Sequence, residues 1–409
     1  MGPELDTARS SRSQRSLEAS AHIKREALAF LADSGADLMS TKSLAERSGI
    51  STGPIYARYD IIEDLVLDLW VETLHAEFLS ILSLIRNAVN ENATEREELA
   101  RLLHTPSTKA QAIVEVLSVM RRYPQLLERV GFDIGRAFSD HLHAQAKVAP
   151  SLALAQCTVT FGAIFLQPIM GPDKTDRWMG SLSLLASAGR DELARQEPPR
   201  SIESPAVAVP IIATGDVVVD EFITAAMTVI ARVGYENATS TRIARIAGRG
   251  FSTIYNHYGT KEELMIAAVK SLIEQNIQMS FEGFAGLPRD EYITRSVGNA
   301  LSVVSDLNRE SRQLRIEALT SGRHHPEIAS FASQGYQAMY ESLREGIRQR
   351  AGDQAEGILS RVPPLWLLLR SNNIGMSLLA NACSIPREID WTPVCASLYG
   401  LIGEIRSGP

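Results

Sequence analysis

Cysteine is scarce. Cys157, Cys383 and Cys395 are the three in 409 residues, which excludes a disulfide framework and suits a reducing cytoplasm. No run of 18 apolar residues is present, so no membrane-spanning helix is expected. The opening MGPELDTARSSRSQRS is polar and has no apolar core segment, so no secretory signal is expected. An excess of positive charge is also lacking. The formal net charge is -7, which excludes coating of nucleic acid by bulk charge but leaves room for a local basic patch. There is no G-x-S-x-G, no P-loop and no G-x-G-x-x-G, so catalysis has no motif to support it and no cofactor is implied. Stretches that alternate with period two are few. VAVPII, residues 207–212, is the best strand candidate, and Pro210 interrupts it.

What is present is an internal repeat. Adding 199 to each number carries SGADLMSTKSLAERSGISTGPIYARYDIIEDL onto VGYENATSTRIARIAGRGFSTIYNHYGTKEEL without a gap. Gly35 falls on Gly234, Ala45 on Ala244, Gly49 on Gly248, Ile55-Tyr56 on Ile254-Tyr255, Tyr59 on Tyr258 and Leu65 on Leu264. A fainter match at 213 sets Gly162 on Gly375, Leu166 on Leu379, Trp178 on Trp391 and Leu185 on Leu398. The duplication therefore covers a whole unit. Between the copies, Ala194–Asp216 holds Pro198, Pro199, Pro205 and Pro210, which favour an extended connector.

Elsewhere the period is helical. Ile23, Ala27, Phe30 and Leu31 mark one face of an amphipathic helix, and Phe222, Ala226, Val229 and Ile230 repeat it. The fold class is all-α, in two similar halves. In the first, Ser40 is a helix N-cap, Leu44-Ala45 start an apolar face and Gly49 turns the chain. Ser51 or Thr52 then caps a second short helix with Pro54 in its first turn. In the second, Thr239 caps, Gly248 turns and Ser252 caps again. Two short helices across a glycine turn are a helix-turn-helix.

The full order is a long amphipathic helix ending in glycine, a capped short helix, a glycine turn, I-Y-x-x-Y and E-x-L. Read in AERSGISTGPIYARYDIIEDL and in ARIAGRGFSTIYNHYGTKEEL, it resembles the DNA-binding region of the TetR family of bacterial transcriptional regulators. The resemblance is close over about 50 residues of each copy. It implies a three-helix reading head followed by a helical ligand-binding and dimerisation domain, twice, as a fused single-chain form of the family's dimer. The implied division is 1–19 flexible basic arm, 20–70 first head, 71–193 first regulatory domain, 194–216 linker, 217–269 second head and 270–409 second regulatory domain. The arm carries Arg9, Arg12 and Arg15 and reads either as a disordered terminus or as a minor-groove arm.

The resemblance also places DNA contacts. The reading helices would present Thr52, Gly53, Pro54 and Arg58, and Phe251, Ser252, Thr253 and His257. Tyr56 and Tyr255 would meet phosphate, and Lys261 follows the second reading helix where the first copy has Ile62. Ser40, Lys42, Ser51, Thr239, Arg242 and Asn256 complete the expected interface. From Ser20 to Trp70 five cations face eight anions, whereas from Val219 to Val269 five face five. The expected partners are double-stranded DNA and a small apolar effector. The chain is expected to be a monomeric pseudo-dimer in the cytoplasm, with no membrane partner. Met120, Phe132, Phe138 and Phe161 are candidate pocket residues, although apolar residues at helical spacing usually just pack. His141 and His143 read as a solvated helix face rather than a metal site, and His324-His325 as a loop. The competing function is a ligand-binding or protein-interaction module whose heads no longer read DNA. The acidic charge and Ile62 favour it.

Overall fold

The computed structural model describes residues 3–89, 93–145, 148–170, 180, 181, 183, 214–277, 287–351, 355–360 and 362–407. Among them there are helices and turns and no strand, an all-α fold. The connector up to residue 213, with VAVPII, and most of the repeat around Trp178 and Leu185 lie outside the described residues.

The first half runs α1 (Pro3–Ser34), α2 (Thr41–Ser48), α3 (Gly53–Tyr56), α4 (Ile62–Leu69), α5 (His75–Val89), α6 (Ala93–His104), α7 (Thr108–Val119), α8 (Pro124–Ala144) and α9 (Pro150–Met170). The second runs α10 (Val217–Val233), α11 (Ser240–Ile246), α12 (Phe251–His257), α13 (Lys261–Ile277), α14 (Arg289–Val304), α15 (Arg309–Ser321), α16 (Pro326–Ala351), α17 (Ala355–Leu359), α18 (Val362–Ala382), α19 (Ile385–Glu388) and α20 (Thr392–Ser407). One π turn, Trp70–Leu74, joins α4 to α5, so the boundary placed after residue 70 falls inside a continuous helical rod. The boundary placed after residue 269 falls inside α13.

Most of the arm expected over 1–19 belongs to helix α1. Helix α1 begins at Pro3 and runs unbroken to Ser34. No proline or glycine interrupts residues 4–34, and Pro3 suits a first helical position.

Both amphipathic faces are buried where the period places them: Ile23, Ala27, Phe30 and Leu31 in α1, and Phe222, Ala226, Val229 and Ile230 in α10. One core runs from the first head through α5–α9 and on into α14, α18 and α20 of the second half. A second core holds the second head together with Leu314, Ala318 and Ile328 of α15 and α16. The halves are thus joined through their bodies. The most intimate helix pair is α9 with α18. Helix α9 is long and apolar enough by composition to cross a membrane, yet most of it is buried inside this core.

Candidate nucleic-acid interface

In each head a long helix ends at a glycine with positive φ (Gly35, Gly234) and the short helices follow across a second one. Gly49 and Gly248 both have φ 67°, a left-handed turn that costs other residues strain. Ser40 caps α2 in a reciprocal box: its side chain accepts from the Ser43 amide at 3.1 Å, and its own amide donates to Ser43 Oγ at 2.8 Å. Thr239 Oγ1 accepts from the Arg242 amide at 3.3 Å, as its position predicts. Of the second caps, Thr52 holds an expected position without the expected bond, and Ser252 does not hold its position. Thr52 has helical backbone and makes no side-chain cap bond. The cap of α12 is Gly250, and Ser252 lies inside the helix. Glycine satisfies no donor with a side chain, although the Gly250 carbonyl accepts the Thr253 amide at 3.0 Å.

The reading helices are unequal. Helix α3 spans four residues, Gly53–Tyr56, and α12 spans seven, Phe251–His257. Gly53, a poor helix former, opens the shorter one. Ile55 and Tyr59 bury one face of the first, and Ile254 with the half-buried Tyr258 does the same for the second. The opposite face is open. Tyr56 is 58% exposed and Tyr255 49%. Buried tyrosines would pack; two exposed at the same repeat position are available to a ligand. Phe251 is also exposed, and its ring meets that of Tyr255 edge-on at 5.0 Å. Ser51, Thr52, Gly53, Ser252, Asn256 and His257 are exposed, and Thr253 and Pro54 are half-buried on the same faces.

The basic residues divide into spent and available. Arg47 bridges Asp33 at 2.6 Å, Lys24 bridges Asp68 at 3.3 Å, and Arg249 bridges Glu221 at 2.6 Å, all within a head. Arg58 donates to the Pro54 carbonyl at 2.7 Å, closing the end of α3. Lys42 lies in a loose pair with Glu46 at 3.9 Å and is well exposed. Arg242 and Arg245 on α11 are exposed, and neither forms an ion pair among the described residues. Lys261 turns inward: its ammonium donates to the Tyr235 carbonyl at 3.0 Å and stands 4.2 Å from the Tyr235 ring centre. It therefore fastens the turn after α10. Ile62, its counterpart, packs on the core.

Residues 222–268 match the family model for bacterial regulatory proteins, tetR family. The stretch covers α10, α11, α12 and the start of α13, which is the second head. The match supports a DNA-binding transcription regulator with a tetR-type helix-turn-helix. No curated protein matches the chain.

The candidate pocket residues do not form one site. Phe132 is 65% exposed. The buried stripe of α8 follows Leu126, Val130, Ile134, Phe138 and His141, and Phe132 falls on the far side of the helix. Phe138 and Phe161 both pack on Phe78, at ring distances of 5.6 and 5.2 Å, and Met120 is sealed in the same core. These three are core residues. His141 is not on a solvated face but buried, between Gln145 at 2.7 Å and the Cys157 sulfur at 3.4 Å. His143 is exposed as expected, and no group of three metal-binding side chains occurs among the described residues.

Sequence reasoning missed the charged layer between heads and bodies. Glu115 and Glu317 are both 1% exposed. Each takes its cation from the other half: Arg323 meets Glu115 at 2.6 Å, and Arg122 meets Glu317 at 3.0 Å. Arg122 also meets Asp37 of the first head at 2.8 Å, and Glu317 accepts the Tyr235 amide of the second at 2.9 Å. The signal was a third offset, 202, which sets Gln111 on Gln313, Glu115 on Glu317, Leu117 on Leu319 and Pro124 on Pro326.

Proposed function

We propose that the chain is a ligand-responsive transcriptional repressor whose two fused halves act as an intrachain pseudo-dimer on an asymmetric operator in the cytoplasm. The observation that carries the reading is the pair of exposed tyrosines, Tyr56 and Tyr255, at the same position of two helix-turn-helix heads. One reading helix covers only a few base pairs. Two heads about 34–36 Å apart reach successive major grooves and combine their contacts. The close packing of α9 on α18 and the exchange of cations between halves support pairing within one molecule.

Asymmetry follows from the two surfaces. The first head offers Thr52, Gly53 and Pro54 on a single helical turn, with Arg58 beside it. The second offers Phe251, Ser252, Thr253, Asn256 and His257 on two turns. Phenylalanine can contact a thymine methyl, whereas arginine favours guanine. Second-head binding is the firmer, through Tyr255 and the open Arg242 and Arg245. An effector would lower affinity by binding better to a conformer with the wrong head spacing. Selection of binding sites from random double-stranded DNA tests the reading. A non-palindromic consensus is expected. A perfect inverted repeat would refute the asymmetry, and no enrichment would favour a module whose heads do not read DNA.

A further inference from the structure

A cavity of about 430 Å³ opens in the second half, bounded by the end of α9 and by α15, α16 and α18. That is the size of a small-molecule site. Its wall mixes polar and apolar surface, with Tyr336, Tyr340 and Trp366 among its residues, and it includes two arginines, Arg323 and Arg370, and no carboxylate.

The two guanidinium groups are underused. Arg370 stacks on the Tyr336 ring at 3.6 Å and is hydrogen-bonded to Tyr336, but its Nε has no hydrogen-bond partner. Arg323 has a side chain only 10% exposed. It touches Glu115 through Nη2, yet none of its three nitrogens makes a well-formed hydrogen bond. Buried donors without acceptors are costly, and a planar anion that takes two N–H groups at once is the partner that best relieves them. The region around the cavity also holds more cation than anion: Arg323 has Glu115 as its counter-charge, and Arg370 forms no ion pair among the described residues.

We propose that this cavity is a binding site for a flat aromatic acid, with its carboxylate on Arg323 and Arg370 and its ring among Tyr336, Tyr340 and Trp366. This replaces the apolar effector expected from sequence. Calling the ligand an effector rests on the function proposed above; the binding site does not.

The site is wired to both heads. Gly322 and Arg323 line the cavity, and the next two residues of the same loop each contact a different head. The His324 ring contacts the Ser34 carbonyl of the first head at 3.1 Å, and His325 contacts Glu236 of the second at 2.8 Å. Glu115, the present partner of Arg323, lies directly beneath Gly35 at the end of α1. An anion that draws Arg323 toward the cavity takes the counter-charge from Glu115 and moves the loop on which both heads rest. The free-energy difference between the two positions of Arg323 is what the ligand would have to supply.

The test is calorimetric titration of the full chain, without DNA, using 2-naphthoate and its neutral analogue 2-naphthamide. The acid should bind at least about tenfold more tightly than the amide. That preference should collapse toward parity in Arg370→Met and in Arg323→Met, each checked for a cooperative melt. The comparison of acid with amide on the unaltered chain needs no variant, so it stands even if a variant misfolds. Equal binding of the two probes, no saturation by the acid up to about 1 mM, or an acid preference unchanged in both folded variants would overturn the site. A chain that binds the acid but never DNA would sink the repressor reading and leave the site intact. DNA binding without acid preference would do the reverse.

Discussion

Gly162 on α9 and Gly375 on α18 meet across the seam between halves, each facing the other helix's backbone. A Cβ on Gly162 would overlap the Ser371 carbonyl, and one on Gly375 would overlap the Thr158 carbonyl. Adding 213 turns Gly162 into Gly375 and Thr158 into Ser371. The two contacts are therefore one contact and its exchange, as a twofold relation requires. Gly162→Ala or Gly375→Ala must push α9 and α18 apart along the pair on which the shared core is built. A loss of more than about 3 kcal/mol is expected, at or above the usual range for overpacking, because backbone rather than a side-chain tip is struck. Gly357→Ala, with open space around it, should be neutral or slightly stabilising in the same denaturant titration. Equal, small effects at all three sites would mean that the seam is looser than drawn.

Arg122 serves two carboxylates from two different domains, Asp37 of the first head and Glu317 of the second body. Its side chain is almost wholly buried. Arg122→Met should cost about 3–5 kcal/mol, because breaking such a pair leaves a buried charge uncompensated. Burial already holds the Glu317 carboxyl above the usual carboxylate range, against the pull of Arg122. Without Arg122 the carboxyl rises further. The deficit should then be largest at high pH and shrink as Glu317 takes up a proton at lower pH. Thermal melts of both proteins across that range check this, and a deficit independent of pH would mean that the loss is packing alone.

Much of the fold was legible in the sequence. Helical period, glycine turns and the offset of 199 are local signals, and they placed the heads, the buried faces of α1 and α10 and the exposed tyrosines. What the sequence could not reveal depends on contacts between distant segments. Ser252 is a good capping residue type, but the turn geometry gave that cap position to Gly250, and of the alternatives Ser51 and Thr52 it took Thr52. Lys261 has the charge for phosphate, yet the fold aims it at the Tyr235 carbonyl. Phe132, Phe138 and Phe161 look alike in sequence, and only the register of α8 against its neighbours separates the exposed one from the core pair. The cavity arginines, Arg323 and Arg370, lie far apart in the chain, so no local pattern joins them.

The open cations of α11 give the sharpest test of the second head. Arg242→Ala removes a side chain that is exposed and holds no internal ion pair among the described residues, so stability should change by less than about 0.5 kcal/mol. If Arg242 meets phosphate, DNA affinity should fall for every sequence alike, and the salt slope should drop by about 1. Lys261→Ala should behave differently. It should lower the stability of the second head as well as DNA affinity, because its ammonium holds the turn after α10. Fluorescence anisotropy over a salt series, set beside melting curves, separates the two. An unchanged salt slope in Arg242→Ala would remove that residue from the interface.

His141 supplies a proton-linked signature of the first body. Burial, aided by Arg86, pushes its pKa down from 6.5 to about 4. The imidazole is therefore neutral in the fold at pH values where the unfolded chain would protonate it. Because the folded value is the lower one, the stability it contributes is complete above pH 6.5 and is lost as pH falls toward about 4. The loss over that window is at most about 3 kcal/mol, and less where solvent reaches the ring. Below about pH 4 this group adds no further slope. His141→Gln keeps a polar neighbour for Gln145 and Cys157 but cannot titrate. Urea melts of the variant from pH 7 to pH 4 should therefore be flatter than those of the unaltered chain. Parallel curves would show that His141 is not held neutral in the folded chain, and that the acid sensitivity lies with other groups.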